Sequence, residues 1–197
     1  MGPPPGRSAS LESLLISTGL VALAEIGDKT QLLSLVLAAR FRRPWPIVWG
    51  ILVATLLNHA AAGAFGAWLT GFFGPTVLAR LVGVSFLLMA AWILVPDKLD
   101  DEGEPKVVGG VFLTTVFLFF VAEIGDKTQV ATIMLAAKYP SLLMVVLGTT
   151  LGMMIANVPV VFFGEALARR MPVAIVRKVT AVAFAILGVA ALASTFM

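Results

Sequence analysis

Long apolar segments alternate with short polar ones along the whole chain. The apolar segments cover about 13–39, 47–70, 78–95, 109–137, 142–168 and 179–196. Each is near the ~20 residues that an α-helix needs to cross the hydrocarbon of a bilayer. The segments lack the two-residue alternation of barrel strands, and only helices or closed barrels satisfy their backbone groups in lipid. The pattern therefore predicts an all-α polytopic membrane protein with six transmembrane helices.

Composition agrees with this prediction and excludes other classes. Hydrophobic residues make up 59% of the chain, charged residues 13%, and the mean hydropathy is +1.00, which is too apolar for a soluble domain. The chain has no cysteine, so disulfides and thiolate metal sites are excluded. Its net charge of +3 comes from basic residues at segment ends, without the basic patch of a nucleic-acid-binding protein.

One polar octapeptide occurs twice. Ala24–Gln31 (AEIGDKTQ) recurs unchanged as Ala122–Gln129, an offset of 98 positions. Further matches at this offset include Ser34 with Thr132, Arg40 with Lys138, Gly50 with Gly148, His59 with Asn157, Gly66 with Gly164, Arg80 with Lys178, and Phe86 with Phe184. The repeat unit holds three predicted spans, an odd number, so the second unit must enter the membrane from the opposite side. This predicts a 3+3 inverted repeat, which is typical of secondary transporters.

The repeat divides the chain into four parts. We expect a disordered leader at 1–10, a first three-helix repeat at 11–96, an acidic cytoplasmic linker at 97–108, and a second three-helix repeat at 109–197. The cytoplasmic side is assigned from its excess of Lys and Arg: it holds Arg40, Arg42, Arg43, Lys98, Lys106, Arg169, Arg170, Arg177 and Lys178, against Arg7, Arg80 and Lys138 on the other side. Both termini are then outside a membrane that we expect to be a bacterial plasma membrane.

Each octapeptide carries charge at membrane depth, where an ionisable group costs several kcal/mol. On a continuous helix, residues at i, i+3 and i+6 lie near one face. The predicted ligands are therefore Glu25, Asp28 and Gln31 in the first copy and Glu123, Asp126 and Gln129 in the second. Auxiliary groups are Lys29, Thr30, Ser34, Lys127, Thr128 and Thr132. Antiparallel packing of the first and fourth spans would bring these side chains together.

An all-oxygen cluster suits a hard divalent cation such as Ca²⁺ or Mn²⁺. Four carboxylates and two ammonium groups leave a net charge of −2, which one such ion or two protons neutralise. Protons therefore compete with the metal for the same oxygens, and we expect metal/proton antiport without a bound cofactor. The lysines either pair with the carboxylates when no metal is bound or point toward the membrane boundary and contribute little. Gly27 and Gly125 either let the first and fourth helices approach each other closely or let these helices unwind locally.

The doubled E-φ-G-D-(K/R)-(S/T) motif, the 3+3 spans and the acidic central loop resemble the Ca²⁺/Mn²⁺:H⁺ exchanger family of transmembrane protein 165-like cation/proton antiporters. The resemblance covers essentially the whole chain. It implies an exchanger that removes Mn²⁺ or Ca²⁺ from the cytosol, with Mn²⁺ favoured by the bacterial size of the chain. The motif acids of the family correspond to Glu25, Asp28, Glu123 and Asp126.

Several alternatives remain at this point. A small exporter of an organic solute such as an amino acid also uses six spans, but its substrate does not need a cluster of charge −2. A channel needs weaker sites in series. A purely structural salt bridge between the first and fourth spans would leave motif acids unpaired. An enzyme is not expected. Asn58, His59 and Asn157 form interhelical hydrogen bonds, donate to the ligands of the site, or form a proton relay, and Glu165 is interfacial or on an entry path. The oligomeric state stays open.

Overall fold

The computed structural model describes residues 6–95, 109–164 and 172–196, and all the secondary structure in these ranges is helical. The helices are α1 Arg7–Glu25, α2 Lys29–Phe41, α3 Pro44–Leu69, α4 Pro75–Ile93, α5 Val111–Glu123, α6 Lys127–Lys138, α7 Leu142–Phe163 and α8 Val173–Ala193. The predicted all-α class is confirmed. The predicted acidic linker, residues 1–5 of the predicted leader, and Glu165 lie outside the described residues.

The first and fourth predicted spans are each broken into two helices. The prediction of one continuous helix over 13–39 and over 109–137 was therefore wrong. The chain leaves the helix at Glu25 and restarts at Lys29, and the second copy breaks in the same way. The glycine of each copy has a positive φ, +79° at Gly27 and +75° at Gly125, a conformation that L-residues with a side chain disfavour. Of the two roles considered for these glycines, local unwinding is the one observed.

Other helix ends differ from the hydropathy boundaries. Helix α1 begins at Arg7, so residues 7–10 of the predicted disordered leader are helical. Helix α8 begins at Val173, six residues before the predicted start at 179, because hydropathy discounts the charged residues Arg177 and Lys178 that lie in its first turns. Helix α7 ends at Phe163, where Gly164 with φ +59° follows it.

Five helices among the described residues are long and apolar enough to cross a membrane, and α5 is a shorter apolar helix. The five are α1, α3, α4, α7 and α8. Helix α1 packs along α7, α4 packs along α8, and α3 contacts α5, α6 and α7. Close approach of α1 and α7 depends on Gly148, where a Cβ would lie 2.6 Å from the Leu14 carbonyl oxygen. This packing sets both chain breaks against α3 and α7.

Candidate cation site

The two chain breaks place the motif acids at helix ends. Glu25 and Glu123 are the last residues of α1 and α5, and Asp28 and Asp126 are the N-caps of α2 and α6. In both copies, Oδ2 of the aspartate accepts a hydrogen bond from the main-chain N–H two residues later, at 3.4 Å. The expectation that the acids share one face of a continuous helix was wrong, since an N-cap aspartate begins a new helix. The break itself brings glutamate and aspartate together.

The motif glutamines stabilise the breaks. Gln31 Oε1 accepts a hydrogen bond from the Gly27 N–H at 2.9 Å, and Gln129 Oε1 accepts one from the Gly125 N–H at 2.8 Å. Gln31 Nε2 also donates to the Ala156 carbonyl oxygen of α7 at 3.0 Å. The structure therefore directs both glutamine oxygens to the main chain of the glycine turn instead of placing them among the carboxylates.

Three of the four motif carboxylates form a compact cluster. One oxygen from each of Glu25, Asp28 and Asp126 lies within 4.8 Å of the others. The side chains are withdrawn from solvent, with exposed fractions of 0%, 2% and 3%. Buried carboxylates without compensation are costly, so the arrangement requires a cation, protons or hydrogen-bond donors. Convergent carboxylate oxygens are the ligands that a hard divalent cation prefers.

The fourth carboxylate faces a different set of side chains. Glu123 is 1% exposed and lies close enough to Glu25 and Asp126 for their charges to interact. Its Oε1 accepts a hydrogen bond from Thr55 Oγ1 at 2.8 Å. Its Oε2 lies 3.9 Å from His59 Nε2. Glu123 therefore sits beside the three-carboxylate cluster and is oriented by α3.

Cationic side chains surround the cluster. Lys29 Nζ of the first motif lies 3.3 Å from Asp126 Oδ1 of the second, so this predicted pairing of lysine with a motif acid is present. Lys127 Nζ donates to the Val95 carbonyl oxygen at 3.0 Å. Arg177 of α8 donates through Nη2 to the Gly27 carbonyl oxygen at 3.4 Å. Lys29 thus balances part of the acid charge across the two motifs, while Lys127 and Arg177 bind main-chain carbonyl oxygens.

The predicted threonines contact the carboxylates directly. Thr30 Oγ1 donates a hydrogen bond to Glu25 Oε2. Thr128 Oγ1 donates to Asp126 Oδ2 at 3.1 Å. Both threonines are fully buried. Each motif therefore carries its own hydroxyl donor for an acid of the same motif.

The other two auxiliary residues behave differently from each other. Thr132 Oγ1 donates to the Thr128 carbonyl oxygen within its own helix, at 2.8 Å, and does not reach a motif acid through that bond. Ser34 Oγ donates to Asn157 Oδ1 at 2.7 Å. Asn157 Nδ2 in turn lies 3.4 Å from Glu25 Oε2. Ser34 thus orients a side chain that donates to the cluster.

Sequence reasoning understated the contribution of α3 and α7. Asn58 Nδ2 donates to the Phe120 carbonyl oxygen at 3.1 Å, which confirms interhelical hydrogen bonding for that residue. Asn157 contacts a motif acid, as Thr55 does, and Thr55 was not singled out at all. The available signal was the repeat itself, because His59 and Asn157 occupy matching positions in predicted spans 2 and 5. The same match recurs in space, since Asn157 faces Glu25 as His59 faces Glu123.

Comparisons with known proteins agree with the chemistry of this site. A protein of Vibrio cholerae named "Putative manganese exporter" is 53% identical over 178 residues, which is 90% of this chain and 88% of the relative. A GDT1-like protein of Synechocystis sp. is 30% identical over 138 residues, or 60% of this chain and 67% of the relative. "GDT1-like protein 3" of Arabidopsis thaliana is 26% identical over 187 residues, or 81% of this chain and 63% of the relative. No solved structure matches the chain.

A family model described as divalent cation/proton antiporter GDT1 matches residues 13–101 and 111–197. These ranges include both octapeptides and all the side chains that surround the carboxylates. The resemblance seen in the motifs is thereby confirmed, and the apolar helices are those of an integral membrane transporter. The chain belongs to the GDT1 family of divalent cation/proton antiporters.

Proposed function

We propose that this protein exports Mn²⁺ from the cytosol in exchange for protons, with Ca²⁺ as a second substrate. The observation that carries the proposal is the buried cluster of Glu25, Asp28 and Asp126, whose oxygens converge from two chain breaks. Membership of a divalent cation/proton antiporter family supports the reaction class. The preference for Mn²⁺ is supported by the name of the Vibrio cholerae relative.

The proposed ligands are the four motif acids. Oxygens of the three clustered carboxylates would bind the ion, and Glu123 would add an oxygen beside them. Buried carboxylates are uncharged or paired, so the same oxygens hold either metal or protons. Because occupancy by one excludes the other, a site that alternates between the two sides of the membrane exchanges them.

Pairing with Lys29 gives the carboxylates a third state, besides the metal-bound and the protonated states. Its ammonium pairs with Asp126 at 3.3 Å, so an arriving divalent ion must displace it from that oxygen. Lys29 is 30% exposed, which leaves the ammonium a path to solvent when it is released. The lysine therefore compensates the carboxylate charge while the acids bind neither metal nor protons. It also competes with the metal for Asp126, which lowers metal affinity and favours release.

We further propose the architecture of a 3+3 inverted repeat with both termini outside. In this arrangement α1 with α2 forms one broken span and α5 with α6 forms its repeat mate. Equivalent contacts support the relation: a Cβ on Gly50 would lie 2.6 Å from Thr115 Cβ, and one on Gly148 would lie 2.8 Å from Ser17 Cβ. Thr115 and Ser17 are also separated by 98 positions.

Single cysteines test this topology, because the chain has none of its own. Ser8→Cys at the start of α1 and Arg42→Cys after α2 place a thiol on opposite sides of the proposed first span. In intact cells, a membrane-impermeant maleimide is expected to label the cysteine at position 8 and to spare that at position 42 until the cells are lysed. Labelling of both positions, or the reverse order, contradicts the proposed orientation.

The transport proposal is tested in proteoliposomes that contain a pH dye. We expect Mn²⁺ flux coupled to opposite proton movement, and loss of both in Asp126→Asn. Glu12→Gln is the matched control, since it removes an exposed carboxylate from α1 without touching the cluster. Absence of metal flux under an imposed proton gradient would refute the proposal and favour an organic substrate. Equal loss in both variants would show that the cluster has no special role.

A further inference from the structure

His59 is a buried polar side chain whose ring nitrogens have no hydrogen-bond partner among the described residues. It is the single histidine of the chain, it lies in α3, and it is 0% exposed. Burying polar atoms without partners costs free energy, and most buried polar groups in proteins are hydrogen-bonded. An imidazole left in this state beside a cation site requires an explanation.

A carboxylate close to this imidazole is also incompletely satisfied. Glu123 Oε2 has no hydrogen-bond partner among the described residues and is buried. It lies 3.9 Å from His59 Nε2, which is too far for a hydrogen bond. Thr55 holds the other oxygen of Glu123, at 2.8 Å, and so turns Oε2 toward the imidazole.

A metal ion satisfies both atoms at this separation. Metal–ligand bonds of about 2.0–2.3 Å let one ion bridge donor atoms roughly 3–4.5 Å apart. Neutral imidazole presents a lone pair on one ring nitrogen and is a common metal ligand. The distance of 3.9 Å between Nε2 and Oε2 falls within this range.

We propose that His59 Nε2 is a further ligand of the exported ion, on the Glu123 side of the three-carboxylate cluster, and that it makes the transporter favour Mn²⁺ over Ca²⁺. This inference rests on the proposed function. Ca²⁺ takes shells of oxygen ligands, whereas first-row transition ions also accept imidazole nitrogen. An all-oxygen cluster alone gives little discrimination between the two ions. One nitrogen ligand therefore provides the discrimination between Mn²⁺ and Ca²⁺.

The repeat shows why a nitrogen ligand is present beside only one of the two motif glutamates. The mate of His59 is Asn157, which donates its amide to Glu25 and accepts from Ser34. Oε2 of Glu25 therefore accepts a hydrogen bond from an amide N–H, while Oε2 of Glu123 faces a nitrogen that can bind metal. The asymmetry places the nitrogen ligand on the Glu123 side only. It also supplies a conservative substitution, His59→Asn, which installs the residue found at the matching position.

Selective isotope labelling tests the inference directly. Because His59 is the single histidine, growth on ¹⁵N-histidine labels this residue alone, provided the purification tag contains no histidine. Electron spin echo envelope modulation of bound Mn²⁺ is expected to show ¹⁴N imidazole coupling in unlabelled protein and its replacement by ¹⁵N coupling in labelled protein. This readout needs no substitution, so it does not depend on the folding of a variant.

Transport by His59→Asn tests the selectivity. We expect KM for Mn²⁺ to rise about 10-fold or more, as for loss of a metal-binding group, with KM for Ca²⁺ changed less than about 3-fold. Bound Mn²⁺ without histidine coupling, or an equal loss for both ions, overturns the inference and leaves the proposed function intact. A wild-type protein that neither binds nor transports Mn²⁺ overturns the proposed function, and this inference with it.

Discussion

Gly27 and Gly125 occupy the same position in the two motifs, but their surroundings differ, and this difference makes a quantitative prediction. Both have positive φ, so Gly→Ala at either position costs about 1–2 kcal/mol of conformational strain. A Cβ on Gly27 would lie 2.2 Å from Val173 Cγ1 at the start of α8, whereas a Cβ on Gly125 meets nothing within 4 Å. Overpacking adds about 1–3 kcal/mol. We therefore expect a loss of about 2–5 kcal/mol for Gly27→Ala and about 1–2 kcal/mol for Gly125→Ala.

The assay is reversible unfolding in mixed detergent micelles, followed by circular dichroism. Val173→Ala removes both γ-methyl groups, so the double variant Gly27→Ala/Val173→Ala is expected to recover about 1–3 kcal/mol of the loss. The same valine change in the Gly125→Ala background is expected to show no such recovery. Equal destabilisation by the two glycine substitutions would refute the packing argument. Absence of coupling between positions 27 and 173 would refute it as well.

Three further predictions follow from other contacts. Lys29→Gln removes the ion pair with Asp126, so Mn²⁺ affinity in calorimetry should rise by about 2–5-fold, and weaker binding would contradict the competition. Gly148→Ala should lower the free energy of unfolding by about 1–3 kcal/mol in the same assay, because its Cβ would meet the main chain of α1. Gly19→Ala, whose Cβ would meet nothing within 4 Å, should raise it by about 0.5–1 kcal/mol. A similar change in the free energy of unfolding for Gly148→Ala and Gly19→Ala would exclude close packing as the cause. Asn157→Leu removes a donor to the acid ending α1 and should lower kcat/KM for Mn²⁺ about 10-fold, while unchanged flux would show that this donor is dispensable.

Much of the site could be predicted from the sequence because charge in an apolar segment is costly. The doubled octapeptide identified every motif acid, and the residue types indicated a hard cation in competition with protons. The family resemblance rested on the same residues and was confirmed. Hydropathy also located the helical segments, with errors of a few residues at ends such as the start of α8. These features depend on composition and local pattern, which tertiary contacts do not change.

Hydrophobic periodicity could not predict the two chain breaks. A glycine between two acids is compatible with a continuous helix or with a turn, and the choice depends on hydrogen bonds to that turn. Gln31 closes it locally and also binds Ala156 of α7, a residue distant in sequence. The expectation of one helical face for Glu25 and Asp28 was wrong for this reason. Local pattern could not reveal which outcome the neighbouring helix would stabilise.

Sequence alone was sufficient to predict the class of the protein, the repeated octapeptide and the acids of the candidate site, because charged side chains are costly in an apolar medium. The groups that face those acids could be identified only from the packed helices. Asn157 beside Glu25, and Thr55 and His59 beside Glu123, lie 64 or more residues away from these acids in the chain. Such contacts depend on how α3 and α7 pack against the two breaks. That packing is set by side-chain shape and close glycine contacts, which a one-dimensional pattern does not encode.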